Sequence, residues 1–142
     1  MMHLARRWAG SLSRREPVAA DTVWAESQLL DGERELWRRM SAADRRHAIA
    51  VARRFTSAGV WTREEVAGAL LHDVGKIVCR LGTFSRVVAT VVGPRTTRFR
   101  QYHDHERIGA EMLGPSGSSQ VTVDLVRGEG PAASALRAAD DI

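Results

Sequence analysis

Apolar residues recur every three or four positions along most of the chain, which is the spacing of one face of an α-helix. From about Thr22 this pattern predicts a helix, which breaks at Asp31-Gly32 and is followed by a short helix over residues 33–40. A longer helix is predicted over 42–58. The same pattern predicts further helices over residues 83–92, 104–113, 119–127 and 132–142.

Two short stretches are typical of the start of a helix. Ser41 is followed three residues later by Asp44, which resembles a capping box and begins the longer helix. Thr62 and Glu65 repeat this spacing and begin the next helix, which Gly75 ends. Both starts are therefore predicted from local sequence alone.

The chain shows no convincing alternation of apolar and polar residues, which a half-buried strand would require, so the expected fold class is all-α. A length of 142 residues suits one domain with one core. Residues 1–20 carry four arginines among Gly, Ser and Pro, and they are predicted to form a flexible basic N-terminal arm. Residues 21–142 are predicted to form a single helical domain, in which the arginine-rich segment 94–100 is a loop.

The composition is that of an ordinary globular protein, with 44% hydrophobic and 27% charged residues. No stretch reaches the roughly 18 apolar residues that a membrane span needs, and a cytoplasmic location is expected. The single cysteine, Cys79, is interpreted as a buried apolar residue rather than a nucleophile. The formal net charge of +4 favours an anionic partner, such as a phosphorylated molecule, a nucleic acid or an acidic lipid.

A few polar residues interrupt helix faces that otherwise point into the core. His47 lies on the apolar face of the longer helix, and Asp73 lies on that of the following helix beside His72. Near the end of the sequence, Asp140 falls on an inward face, whereas Asp141 falls on an outer one. Taken singly, each has a structural explanation, such as a core histidine or an ion pair. Burial of an unpaired carboxylate nevertheless costs several kcal/mol, so Asp73 needs a compensating cation.

Two imidazoles and two carboxylates together supply nitrogen and oxygen ligands. This set suits one divalent ion with open positions, such as Mn²⁺, Fe²⁺, Co²⁺, Ni²⁺ or Mg²⁺, better than a closed thiolate zinc site. Such an ion lowers the pKa of water and polarises a phosphoryl group. The ligand set therefore indicates metal-assisted hydrolysis.

The same residues resemble the motifs of a known family. His47 in DRRHAIAVA, the doublet His72-Asp73 in LLHDVGKI and Asp140 in LRAADDI resemble the HD superfamily of metal-dependent phosphohydrolases. The segment YHDHERIGAEML also resembles the region in which many members carry another histidine. The resemblance covers about residues 40–142, and it implies a compact helical bundle with these four residues as the metal ligands.

Further residues near the doublet are candidates for catalysis and substrate binding. Lys76 either binds the substrate phosphate or pairs with an acid. His105 aligns with the inward face of a helix that starts near Asp104, whereas His103 precedes this helix. The predicted catalytic residues are therefore Asp73, Lys76 and His105. The predicted substrate-binding residues are Lys76 and three arginines of the 94–100 loop, Arg95, Arg98 and Arg100, although a solvated loop is the simpler interpretation of the arginines.

The leading hypothesis is a hydrolase that acts on a phosphorylated small molecule, such as a nucleotide. The alternative is a catalytically degenerate HD-like module that binds a metal or nucleotide and regulates a partner. The sequence has no histidine after His105, which favours this alternative and argues against a second metal. It also lacks the Glu-Asp pair of guanosine-tetraphosphate hydrolases and the GYP tripeptide of cyclic-dinucleotide hydrolases, so those substrates are disfavoured. Nucleic-acid binding through the basic arm is the weakest of the hypotheses.

Overall fold

The structure, a computed structural model, describes residues 14–80 and 94–141, and within 79–80 and 94–103 it describes the backbone alone. All regular secondary structure in the described residues is helical, which confirms the predicted all-α class. In chain order the helices are α1 (Ala19–Ser27), α2 (Asp31–Arg39), α3 (Ala42–Ser57), α4 (Arg63–Leu71), α5 (Lys76–Arg80), α6 (Pro94–Leu113), α7 (Gln120–Arg127) and α8 (Ala133–Asp140).

Helix α4 lies at the centre of the bundle. Its residues 66–71 are all buried, because small and apolar residues occupy every side of this helix. Helices α3 and α7 pack against α4, while α6 packs against α7, and α8 against α3. The largest fully buried side chains are those of Trp37, Phe55, Leu70, Leu71 and Leu113. The turn that follows α4 is thus attached to a helix that the core holds on every side.

The two predicted capping sequences both begin helices. The Ser41 hydroxyl accepts a hydrogen bond from the Asp44 backbone N–H at 3.1 Å, at the start of α3. At the start of α4, the Thr62 hydroxyl accepts from the Glu65 N–H at 3.2 Å, and the Glu65 carboxylate accepts from the Thr62 N–H at 3.0 Å. These bonds satisfy N–H groups that no helical carbonyl can reach.

The predicted break between the first two helices is present, but it lies at residues 28–30 and not at Asp31-Gly32. Helix α2 begins at Asp31, with Leu30 as its N-cap, so Gly32 lies in the first helical turn. A Cβ atom at Gly32 would overlap the backbone carbonyl of Ser116. The glycine therefore permits a close approach between two distant parts of the chain, and it does not interrupt the helix.

The predicted loop over 94–100 is also wrong, because this segment forms the first turns of α6. Pro94 is the first helical residue, a position where the fixed φ of proline suits a helix and its missing N–H costs nothing. Arginine is a good helix former, so the arginine-rich composition does not oppose this start. His103 consequently lies within α6 and does not precede it. The predicted helix over 83–92 lies outside the described residues.

Two glycines bring the turn after α4 against α6. This turn spans residues 72–75, and a Cβ atom at Gly75 would overlap the backbone carbonyl of His105 and stand 3.0 Å from the Gly109 nitrogen. A Cβ atom at Gly109 would stand 3.1 Å from the Gly75 nitrogen. The two backbones are therefore in direct contact, and this contact sets His105 beside the turn.

None of the described helices is both long enough and apolar enough to cross a membrane.

Candidate metal centre

Four side chains from three distant segments converge at one end of the bundle. His47 lies on α3, His72 is the C-cap of α4, Asp73 follows it in the turn, and Asp140 is the last residue of α8. The Nε2 atom of His47 lies 2.9 Å from Asp140 Oδ1 and 4.0 Å from Asp73 Oδ2. The Nε2 atom of His72 lies 3.4 Å from Asp73 Oδ2 and 3.6 Å from Asp140 Oδ1. Asp141, the neighbouring acid, is exposed, as predicted.

The ring of His72 is held with one nitrogen facing this cluster. Its Nδ1 atom lies 2.7 Å from the backbone carbonyl oxygen of Ala69, which can only accept, so Nδ1 carries the proton. Its Nε2 atom is buried and has no hydrogen-bond partner. A backbone carbonyl that holds one imidazole nitrogen while the other faces inward is the usual environment of a metal-binding histidine. Buried polar atoms are rarely left without a partner, so this atom requires an explanation.

A buried carboxylate elsewhere in the fold shows how a purely structural acid is satisfied. Glu33 is fully buried, and its Oε1 atom accepts a hydrogen bond from the Leu30 N–H at 2.8 Å. Its Oε2 atom accepts from the Ser118 hydroxyl at 2.7 Å. The Oδ1 atom of Asp73, by contrast, lies 3.6 Å from His105 Nε2, beyond ordinary hydrogen-bond length. The imidazoles of His72 and His105 therefore stand farther from Asp73, at 3.4 and 3.6 Å, than direct hydrogen bonds would place them.

Two further predicted residues approach Asp73. The Lys76 ammonium donates to Asp73 Oδ2 at 3.2 Å, so it pairs with an acid, which was one of its two predicted roles. The Lys76 side chain keeps 34% of its surface exposed. His105 is buried and points inward, as its helix face predicts. Burial disfavours the charged carboxylate of Asp73, but the positive charges of His72 and Lys76 outweigh this and lower its pKa below the usual value.

The cluster is strongly coupled electrostatically. Burial of His72 opposes its positive charge, yet the carboxylates of Asp73 and Asp140 prevail and raise its pKa to about 9. Burial of Asp140 likewise opposes its negative charge, but the imidazoles of His47 and His72 lower its pKa well below the usual range. Two acids thus hold a proton where a metal cation would otherwise supply the positive charge, so protons and metal are expected to compete.

The metal-free protein is expected to lose stability as the pH rises from 6.5 to about 9. Folding raises the pKa of His72 from 6.5 to about 9, so the folded state retains a proton that the unfolded state releases in this range. The stabilisation is complete below pH 6.5, is lost above pH 9, and amounts to roughly 3 kcal/mol at most. Thermal unfolding with a chelator present, measured across this range, checks the prediction. The variant His72→Gln should flatten the profile, and an unchanged profile in that variant would contradict the assignment.

A small cavity adjoins the cluster. Its volume is about 30 Å³, enough for an ion or one to two water molecules. Its lining includes His72, Asp73, His105 and Asp140 from the cluster, together with Glu106 and Arg137. Sequence reasoning did not select Glu106 or Arg137, because an acid and an arginine on partly exposed helix faces look like ordinary solvated residues.

The predicted site residues divide into two groups. The structure brings together His47, His72, Asp73, Lys76, His105 and Asp140. The side chains of Arg95, Arg98, Arg100 and His103 lie outside the described residues, so their predicted roles stay predictions. His47, His72 and Asp73 each offer a ligand atom within 4.8 Å of the others, so this group could hold a metal ion. Asp140 lies within 3.6 Å of both imidazoles and could complete the set.

The fold and the cluster define a helical protein with a candidate metal centre. No protein-family model matches the chain, and no curated protein or solved structure matches it either.

Proposed function

We propose that the protein is a metal-dependent phosphohydrolase of the HD type, acting on a phosphate ester such as a nucleotide. One observation carries the proposal: the buried Nε2 atom of His72 has no hydrogen-bond partner and faces two carboxylates, while Nδ1 is fixed on a backbone carbonyl. When protonated, this nitrogen pairs with the two carboxylates only at 3.4 and 3.6 Å, longer than ordinary hydrogen bonds. A cation bound beside it satisfies the nitrogen and both acids at once.

The donor set favours a divalent ion with open positions. Two imidazole nitrogens and two carboxylate oxygens suit Mn²⁺, Fe²⁺, Co²⁺, Ni²⁺ or Mg²⁺, and no thiolate is among them. When bound, such an ion supplies positive charge that polarises a phosphoryl group and acidifies water. Asp73 and Asp140 contribute the negative charge that retains the ion, and the Ala69 carbonyl keeps the His72 ring in its binding orientation.

The other residues of the cluster have distinct roles in the proposal. His105 lines the small cavity, with Nε2 3.6 Å from Asp73 Oδ1, so it can exchange a proton with a group in that cavity. Lys76 pairs with Asp73 and remains partly exposed, so its ammonium can contact a phosphate that approaches from solvent. Contacts from Arg95, Arg98 and Arg100 would extend phosphate binding along the first turns of α6.

Protein purified without chelator is expected to carry about one equivalent of a divalent transition metal and to release phosphate in the presence of Mn²⁺. The substrates to test are p-nitrophenyl phosphate and a series of nucleoside mono- and triphosphates. A chelator should abolish turnover, and added metal should restore it. Absence of both bound metal and turnover would overturn the proposed function.

A catalytically inactive metal-binding module is the second candidate function. Two observations favour it: among the described residues the cavity at the centre has room for little more than an ion, and Lys76 is already paired with Asp73. This candidate predicts metal binding without turnover of any phosphoester in the series. The same two measurements, metal content and phosphate release, therefore separate it from the hydrolase.

A further inference from the structure

The proposed metal centre includes Asp140, which lies at a helix end where the backbone is weakly restrained. Asp140 is the last residue of α8, a helix of eight residues. Helix ends fray, and the last carbonyl groups of a helix have no partner within it. The side-chain contact with His47 at 2.9 Å is one restraint on this residue. A second restraint is useful, because an ion bound at Nε2 of His47 displaces the proton that this nitrogen donates to the Asp140 carboxylate.

Arg54 supplies a second restraint through the backbone. Its Nε atom donates to the carbonyl oxygen of Ala139 at 2.7 Å, and the side chain is partly buried. Ala139 immediately precedes Asp140, so this bond satisfies one of the unpaired carbonyls at the end of α8. The bond does not involve any candidate ligand atom and persists whether or not an ion is bound.

Arg54 and His47 act from the same face of α3. They are seven positions apart, which is close to two helical turns. One face of α3 therefore holds the end of α8 at two points, at the Ala139 carbonyl and at the Asp140 carboxylate. We propose that Arg54 is a positioning residue that holds Asp140 in the metal centre; this inference rests on the proposed function.

The test compares Mn²⁺ affinity in Arg54→Met, Arg54→Lys and Arg53→Met, measured by titration calorimetry at a temperature where all variants are folded. Methionine retains the apolar stem of Arg54 but not its donor, and it should weaken Mn²⁺ binding about 10- to 100-fold, as loss of a supporting hydrogen bond does at other metal sites. Lysine keeps a donor and should recover part of the affinity. If Arg54→Met does not fold, Arg54→Leu, which also lacks a donor, carries the test, and wild-type affinity in it would overturn the inference.

Arg53→Met is the matched control. Arg53 is the neighbour of Arg54 on α3, and its replacement by Met removes the same positive charge. The Arg53 side chain contacts Trp24 and Asp21 of α1, whereas Arg54 contacts α8. Its Mn²⁺ affinity should stay within about threefold of wild type, since exposed charged contacts contribute little. An equal loss of affinity in Arg53→Met and Arg54→Met would show a general effect of charge and overturn the inference.

A second background tests whether Arg54 acts through Asp140. In Asp140→Ala, where the carboxylate is gone, Arg54→Met should weaken Mn²⁺ binding no further. If Arg54→Met lowered Mn²⁺ affinity equally in wild type and in Asp140→Ala, the inference would be overturned, but the proposed metal centre would not.

One readout does not require metal at all. Amide hydrogen exchange at residues 140 and 141 of the metal-free protein should be faster in Arg54→Met than in Arg53→Met. Wild-type protein that binds no Mn²⁺ would overturn the proposed function, whereas equal exchange in the two variants would overturn the restraint by Arg54. The two failures are thus distinguishable.

Discussion

Replacement of Asp73 by Asn is expected to weaken divalent metal binding by more than about 100-fold, because the variant removes the negative charge of a ligand and not merely a group that supports one. The side chain keeps its shape, so the loss comes from its negative charge. Asp73 is 6% exposed and lies within 4.0 Å of His47, His72, Lys76 and His105. Each of these neighbours can carry positive charge, and an uncompensated cation in such surroundings is unfavourable. Turnover of phosphoesters should fall below detection together with the metal.

The helical fold should survive this replacement. Asp73 lies in the turn after α4 and not within the apolar core, so far-ultraviolet circular dichroism should be unchanged. Metal content by elemental analysis and Mn²⁺ titration measure the main effect. Asp141→Asn is the control, since it removes the same charge from an exposed acid close to the centre. If Asp73→Asn retained as much metal as Asp141→Asn, the proposed metal centre would be contradicted.

The sequence predicts the parts of the fold that depend on local chemistry. The starts of α3 and α4 follow from Ser41 and Thr62, because a capping hydroxyl bonds to a backbone N–H only a few residues away. The structural role of a glycine is harder to predict from the sequence, because glycine can either end a helix or permit a close backbone contact. At Gly128 it ends α7 in a left-handed conformation, with φ of 88°. At Gly32 it permits contact with Ser116, which local sequence does not reveal.

The candidate metal centre is also predictable only in part from the sequence. The inward positions of His47 and Asp140 follow from helical periodicity, and the structure places these two side chains 2.9 Å apart. The bond between Arg54 and the Ala139 carbonyl does not follow, because it depends on how α8 packs against α3. Periodicity identifies the face of a helix on which a residue lies. It does not identify the backbone atom that a long side chain reaches.

Glycine at position 75 is the second residue whose replacement is expected to have a large effect, in this case on the free energy of unfolding. In Gly75→Ala the added Cβ atom would overlap the carbonyl oxygen of His105 and crowd the Gly109 nitrogen at 3.0 Å. Both neighbours are backbone atoms, so no side chain can move aside. The turn and α6 must separate, and the expected loss is more than about 3 kcal/mol, a large part of the roughly 5–15 kcal/mol that stabilises a domain.

Urea denaturation of Gly75→Ala measures this loss, and Gly114→Ala is its matched control. A Cβ atom at Gly114 would meet its nearest neighbour, the Glu111 carbonyl oxygen, at an ordinary 3.9 Å. The control should change stability by less than about 1 kcal/mol. Equal unfolding midpoints in the two variants would show that the turn and α6 are not in backbone contact. Because the turn also carries Asp73, any Gly75→Ala protein that folds should bind metal more weakly than the control, which links the packing of two glycines to the assembly of the centre.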